Sequence, residues 1–271
     1  KKELSDINEK SLLASAVDLF FGLLTAEQET EAFPDIVRSI GRIMDIRLKE
    51  KDVKGTIQIL EGLKGALTVY NNPSQREMIE DVVSRAGSLE NLQALFGVSQ
   101  DPLEIREYLL LLGAQSLVQM IQTLKELKDR KQRRLLCEII AEIGRQDITP
   151  LTESLDDEKW YLARNIVMIL GMIKDPDSVK HLEKGLKHGD VRVRRETVRA
   201  LEAISSGATK DLFITALGDS DVTIRVAVLR ALRRLKAPGL FEMLSKNISR
   251  EELRNKPFAE KKELLETIAV L

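Results

Sequence analysis

The sequence predicts an all-α protein, an α-solenoid of stacked helix pairs preceded by an amino-terminal helical region, and three observations carry that reading. First, one apolar pattern is written three times at a step of 31: Leu155, Leu186, Leu217; Leu151, Leu182, Phe213; Leu162, Val193, Ile224; Val167, Val198, Leu229; Leu170, Leu201, Leu232; and Ile173, Ile204, Leu235. A register that holds in all these columns marks units too small to bury their own apolar face, which stack on their neighbours instead. Second, 43% of residues are apolar but only 4% are aromatic. That suits a core of Leu, Ile, Val and Ala better than a large β-domain, which leans on aromatic side chains. Third, apolar residues recur at helical spacing in segment after segment.

The elements follow in order. Leu12, Leu13, Ala16, Val17, Phe20, Leu23 and Leu24 define a helix over 5–24. A second starts near Pro34, a residue suited to a first turn, and runs through Ile36, Ile40, Ile43 and Met44 to about Leu48, with 49–52 as connector. A third spans 53–69, and a fourth reaches Arg85 with Ser74 and Glu77 as a capping box. These helices fit no register of the 31-residue step, so residues 1–87 are expected to form an amino-terminal bundle or cap, and 88–271 the solenoid with a carboxyl-terminal capping helix. Shorter helices follow at 88–96, closed by Gly97, and at 101–112, where Asp101 caps, Pro102 takes the first turn, Glu104 completes the box and Gly113 ends it.

Repeats begin at about Ser116. Each is a helix pair A and B: 178–186 and 191–204 in one copy, 209–217 and 222–235 in the next, and an earlier copy over 120–143 with one residue inserted in its turn. Residues 249–256 read as an extended turn, and 257–271 as the last helix. At the start of helix B an Asp recurs with an Arg four residues on: Asp129 and Arg133, Asp190 and Arg194, Asp221 and Arg225. Asp at the N-cap accepts from free first-turn amides, and Arg one turn later lies on the same face.

The segments LGDSDVTIRVAVLRAL (217–232), LKHGDVRVRRETVRAL (186–201) and, more loosely, LDDEKWYLARNIVMIL (155–170) resemble the HEAT-like repeat of the phycobilisome-lyase type. The resemblance covers roughly 116–240 and departs at Lys159 and Ala163, which replace the Asp and Arg. It implies a right-handed solenoid, an Asp and Arg ladder bridging neighbouring repeats, B helices lining the concave side, and a bacterial origin. An ankyrin-like Thr149-Pro150-Leu151 occurs once, and the Trp, Gly and Tyr placement of tetratricopeptides is absent.

Several chemistries are disfavoured. Cys137 is the only cysteine, so there is no internal disulfide and no multi-cysteine zinc site, and a reduced cytoplasmic compartment is expected. The run 12–24 is too short and too polar to span a bilayer, and no signal-peptide pattern occurs. The chain opens on Lys1, and we expect a portion of a longer protein. No Gly-rich phosphate loop, nucleophile elbow or H-E-x-x-H motif is present, and we expect no catalytic, metal or cofactor residues. His181 and His188 lack the following Glu of the HEAT-like deoxyhypusine hydroxylases, and one Trp and three Tyr are few for a HEAT-like DNA glycosylase. Both histidines are expected on the solvated surface, Cys137 in the core, and Asp156 and Asp157 as helix caps.

A binding surface remains. Residues 1–115 carry 13 Lys and Arg against 19 Asp and Glu, the rest 29 against 24. The carboxyl half is therefore the better anion-facing half. With Leu162, Ile166, Ile169, Leu170 and Ile173 inward, the helical wheel turns Tyr161, Arg164, Asn165 and Met168 outward. Equivalent rows are Arg192, Arg195, Glu196, Arg199 and Thr223, Val226, Ala227, Arg230, Arg234. The expected partner groove is Trp160, Tyr161, Arg164, Met168, Arg192, Arg195, Arg199, Arg230 and Arg234, with Arg133, Arg194 and Arg225 assigned to the ladder. Arg pairs with carboxylates and phosphates, so the leading expectation is a non-enzymatic scaffold for a protein partner with acidic segments. Nucleic acid is the alternative and a lyase or glycosylase the third.

Overall fold

The computed structural model describes residues 12, 15–24, 31–235, 239, 242, 244 and 250–270. The chain forms two compact units, 1–143 and 144–271, and every regular element among the described residues is helical.

The first unit contains α1 (15–24), the described portion of the expected opening helix, whose start lies outside the described residues. Then come α2 (Phe33–Lys49), α3 (Val53–Val69), α4 (Pro73–Ala86), α5 (Leu89–Val98), α6 (Pro102–Leu112), α7 (Leu117–Glu126) and α8 (Arg130–Ile143). Ile40, Met44, Leu60, Leu63, Ile79 and Leu109 are fully buried, so α2, α3, α4 and α6 share one core. The capping box expected at Ser74 sits elsewhere: Asn72 is the cap, its side chain accepting from the amides of Ser74 and Gln75. Pro73 explains the shift, because its missing N–H and fixed φ suit the first helical position and move the cap one residue before it. Gly97 lies inside α5, which runs on to Val98. Asp101 caps α6 through the amide of Leu103. Glu104 accepts a hydrogen bond from the Ser99 hydroxyl instead of completing a box, and Ser99 Oγ accepts from the Asp101 amide. Gly113 does end α6, at φ +70°, a backbone that favours glycine.

The second unit is the repeat written in helices: α9 (Thr149–Glu153) with α10 (Trp160–Ile173), α11 (Val179–Leu186) with α12 (Val191–Ile204), and α13 (Thr209–Ala216) with α14 (Val222–Arg234). Four of the columns are buried in every copy, those of Leu151, Leu162, Val167 and Leu170. The columns of Leu155 and Ile173 close the edges and are buried or half-buried. Consecutive B helices pack on each other, α10 on α12 and α12 on α14.

Helices α10 and α12 approach tightly at Gly171, where an added Cβ would stand 2.9 Å from Cα and Cβ of Ala200. Gly171→Val is therefore expected to wedge α10 from α12 despite the better helix propensity of Val. Overpacking of this kind costs about 1–3 kcal/mol, which lowers Tm by several degrees in a thermal melt; an unchanged Tm would show that the two helices part without cost.

Within the stretch that reads as an extended turn, Arg250–Asn255 is instead a helix, α15. The stretch offers no apolar stripe from which a helix could be read, but Arg, Glu and Leu are good helix formers. It is followed by α16 (Phe258–Val270), which packs on α14.

Candidate functional site

The surface is built from the turn that joins A to B. In three turns an Asp caps helix B: Asp129 Oδ1 accepts from the amides of Lys131 and Gln132 at 2.8 Å, Asp190 Oδ1 from Arg192 at 2.8 Å, and Asp221 Oδ1 from Thr223 at 2.7 Å. The Asp190 carboxyl is held down at about 2, chiefly by the hydrogen bond from the Arg192 side chain. That of Asp221 is lowered first by Thr223 Oγ1. Asp156 and Asp157 do not cap α10. Lys159 holds the N-cap position without a side-chain bond, while Asp157 Oδ1 accepts the Lys159 amide one position earlier and Asp156 pairs with Lys184 at 2.7 Å.

The arginine one turn into helix B does not pair with its own capping Asp. Arg133, Arg194 and Arg225 each turn Nη1 back onto two carbonyls of the preceding turn. The other face of the guanidinium reaches one repeat forward. Arg194 grips Asp219 with Nε at 2.8 Å and Nη2 at 3.1 Å, and Arg225 grips Glu260 on α16 at 2.9 and 2.6 Å. The Arg194 pair, with one nitrogen on each oxygen of Asp219, is bidentate, the strong form of an ion pair, whereas Arg225 sets both nitrogens on Oε2 of Glu260. His188 is no solvated bystander: its Nδ1 accepts the Asp190 amide at 2.9 Å, the place that Asp219 Oδ1 takes for Asp221 at 2.7 Å.

The expected groove residues fall into two groups. At the α10 end Trp160 bridges to the next repeat, with the Arg192 guanidinium 3.3 Å from its ring centroid and Tyr161 edge-on at 5.9 Å. Such a cation–π stack contributes on the order of 0.5–2 kcal/mol. Arg164 and Met168 are half-buried further along α10. Toward α14, Arg195, Arg199, Arg230 and Arg234 rim one groove of about 470 Å³ floored by Val198, Val226 and Ala227.

The charge of this face is not what the arginines alone suggest. Arg164 and Arg199 both bond Glu196, a residue expected outward but 8% exposed. Arg230 bonds Glu263 at 2.7 Å and Arg234 bonds Glu202 at 2.6 Å. Arg195 finds only the hydroxyl of Thr223, at 3.1 Å, so among the described residues it lacks a carboxylate partner. Glu196, Glu202 and Glu263 are the acidic residues of this face that reading the arginines alone misses. A signal existed: most of these contacts join residues 32 or 33 apart, one repeat plus the stagger between adjacent B helices.

Among the described residues no helix is long and apolar enough to cross a membrane. No group of three or more His, Cys, Asp or Glu among the described residues could hold a metal ion. Cys137 is buried in the first unit.

Comparison with curated proteins finds no match. A family model of HEAT repeats matches residues 117–201 and 180–255, just over half of the chain, across both the earlier helix pair and the in-register repeats. With helix pairs, capping Asp residues and arginine rungs in place, this chain belongs to the HEAT-repeat family.

Proposed function

We propose that the chain is a non-enzymatic scaffold that holds an acidic, partly apolar segment of a protein partner along the B-helix face of α10, α12 and α14. The observation behind this is the groove with an apolar floor and an arginine rim, the mixture that favours anchoring side chains with carboxylates around them. HEAT repeats are a protein-interaction kind of fold, which supports the general role. Trp160, Tyr161, Arg164, Met168 and Arg192 extend the same face. The chain works in a bacterial cytoplasm, where a lone buried cysteine stays reduced.

Nucleic acid fits this face less well. Glu196, Glu202 and Glu263 stand among the arginines, and a phosphate backbone would meet them along with the cations. Salt separates the two readings, because release of phosphate-bound counterions makes nucleic-acid binding fall steeply.

The pairing also dictates the variant. Reversing Arg230 would face a carboxylate with Glu263, which is 3% exposed in its side chain, and so disturb the fold. Arg195→Glu with Arg199→Gln leaves that pair intact and sets no second carboxylate against Glu196, which Arg164 still holds. Pull-downs from source-cell extract should recover a nuclease-resistant protein with the wild-type chain and lose it with the double variant. Recovery unaffected by the exchange would remove the groove, and recovery of nuclease-sensitive material alone would move the reading to nucleic acid.

A further inference from the structure

The arginine ladder lacks one rung, and the structure keeps the slot. Stepping back 31 residues from Arg194 reaches Ala163, 1% exposed. The same step from His188 and Gly189, whose carbonyls hold Arg194 Nη1 at 3.0 and 3.1 Å, reaches Asp157 and Glu158. From Asp219, the forward acceptor of Arg194, it reaches His188. Those residues line a cavity of about 320 Å³ together with Gly185 and Val193. The volume is many times the roughly 10–15 Å³ that one water needs by the same measure.

We propose that this cavity receives an arginine side chain of a partner protein, which supplies from outside the rung that Ala163 omits. The chain itself shows what fits. One repeat on, the same backbone and the same turn hold a guanidinium in a pair whose members are only 13% and 8% exposed. Another repeat on, the turn at 219 and 220 holds Arg225 in the same way. The turn geometry is preserved in the gapped repeat: Asp157 Oδ1 takes the Lys159 amide at 3.0 Å, the bond that Asp219 Oδ1 makes to Asp221.

Charge follows shape. Where the filled rungs have Gly189 and Ser220, the gapped turn has Glu158, a carboxylate that lines the cavity and offsets the loss of the forward acid at His188. Lys184 is the one cation lining it, and it is bonded to Asp156. His188 presents an imidazole whose Nδ1 is engaged by the Asp190 amide. A planar guanidinium can stack on that ring while its edge meets the turn carbonyls; a Lys ammonium has neither the plane nor the fork. This site is separate from the B-helix groove and does not depend on it.

The probes are the capped tripeptides Gly-Arg-Gly and Gly-Lys-Gly, titrated into the full chain by NMR with the His188 imidazole as reporter. The Arg peptide is expected to shift His188 saturably and to bind about tenfold more tightly than the Lys peptide, the selectivity of a fork-shaped acceptor set. Glu158→Gln should weaken it several-fold. Ala163→Arg with His188→Asp, which writes the missing rung into the chain, should raise Tm and, followed by backbone amides of the 156–160 turn, abolish binding. Arg195→Glu with Arg199→Gln should leave binding unchanged. Equal affinity for the two peptides, no saturable shift, or binding that survives both Glu158→Gln and the filled rung would overturn the proposal.

Discussion

Replacing Leu201 by Asp is expected to abolish the cooperative unfolding transition of the second unit. Leu201 is fully buried in α12, in the same column as Leu170 and Leu232, which are equally inaccessible. Its helix is the middle B helix, packed on α10 before it and α14 after it. A carboxylate there finds no partner, and an unpaired buried charge either costs far more than a domain's net stability or expels the helix. In a repeat array each unit is held by its neighbours, so the loss propagates to both sides. Leu201→Ala grades the effect, costing roughly 2–5 kcal/mol through lost contact and the cavity left behind. Circular dichroism melts should show the Ala variant with a lowered Tm and the Asp variant with no transition. A wild-type melt for the Asp variant would mean that the column is not the core.

That column was legible in the sequence because one physical demand, burial against the next unit, recurs at a constant step. The Asp190 and Asp221 caps were legible for a similar reason: a local side chain satisfies local amides, and the whole motif sits within five residues. What could not be read so directly lies where partners are a repeat apart. The arginines of the B-helix face looked like free positive charge, yet Arg164, Arg230 and Arg234 meet Glu196, Glu263 and Glu202 over 32 or 33 residues. Only the stagger between adjacent helices decides which acid faces which base. The missing rung is the opposite case. Its absence at Ala163 was plain in the alignment of repeats, but that the gap stays open as a cavity required coordinates, since a neighbouring side chain could equally have closed it.

Glu260→Ala is expected to loosen the last helix from the array and to change how the unit responds to acid. Arg225 is 17% exposed and Glu260 3% exposed in their side chains. Both Nε and Nη2 of the guanidinium meet Oε2 of Glu260 while Lys256 holds Oε1 at 2.7 Å, and this cluster ties α16 to α14. Breaking one partner of such a pair costs about 3–5 kcal/mol, largely because the other charge is left without its counterpart. Arg225→Met with Glu260→Met removes both charges and should recover most of that loss, since a buried pair contributes little beyond what well-packed apolar residues would. Burial alone would push the Glu260 carboxyl upward, but the hydrogen bonds from Arg225 and Lys256 outweigh it and hold the group below its ordinary value of 4.5. A folded pKa below the unfolded one means that the contribution is complete above about pH 4.5 and drains away as pH falls through the folded value. Denaturant titrations from pH 7 down to about 3 should therefore show the wild-type chain losing stability more steeply than the Met pair over that acid range. Parallel pH curves for the two proteins would show that the rung to α16 contributes nothing, and would leave α16 held by its apolar contacts alone.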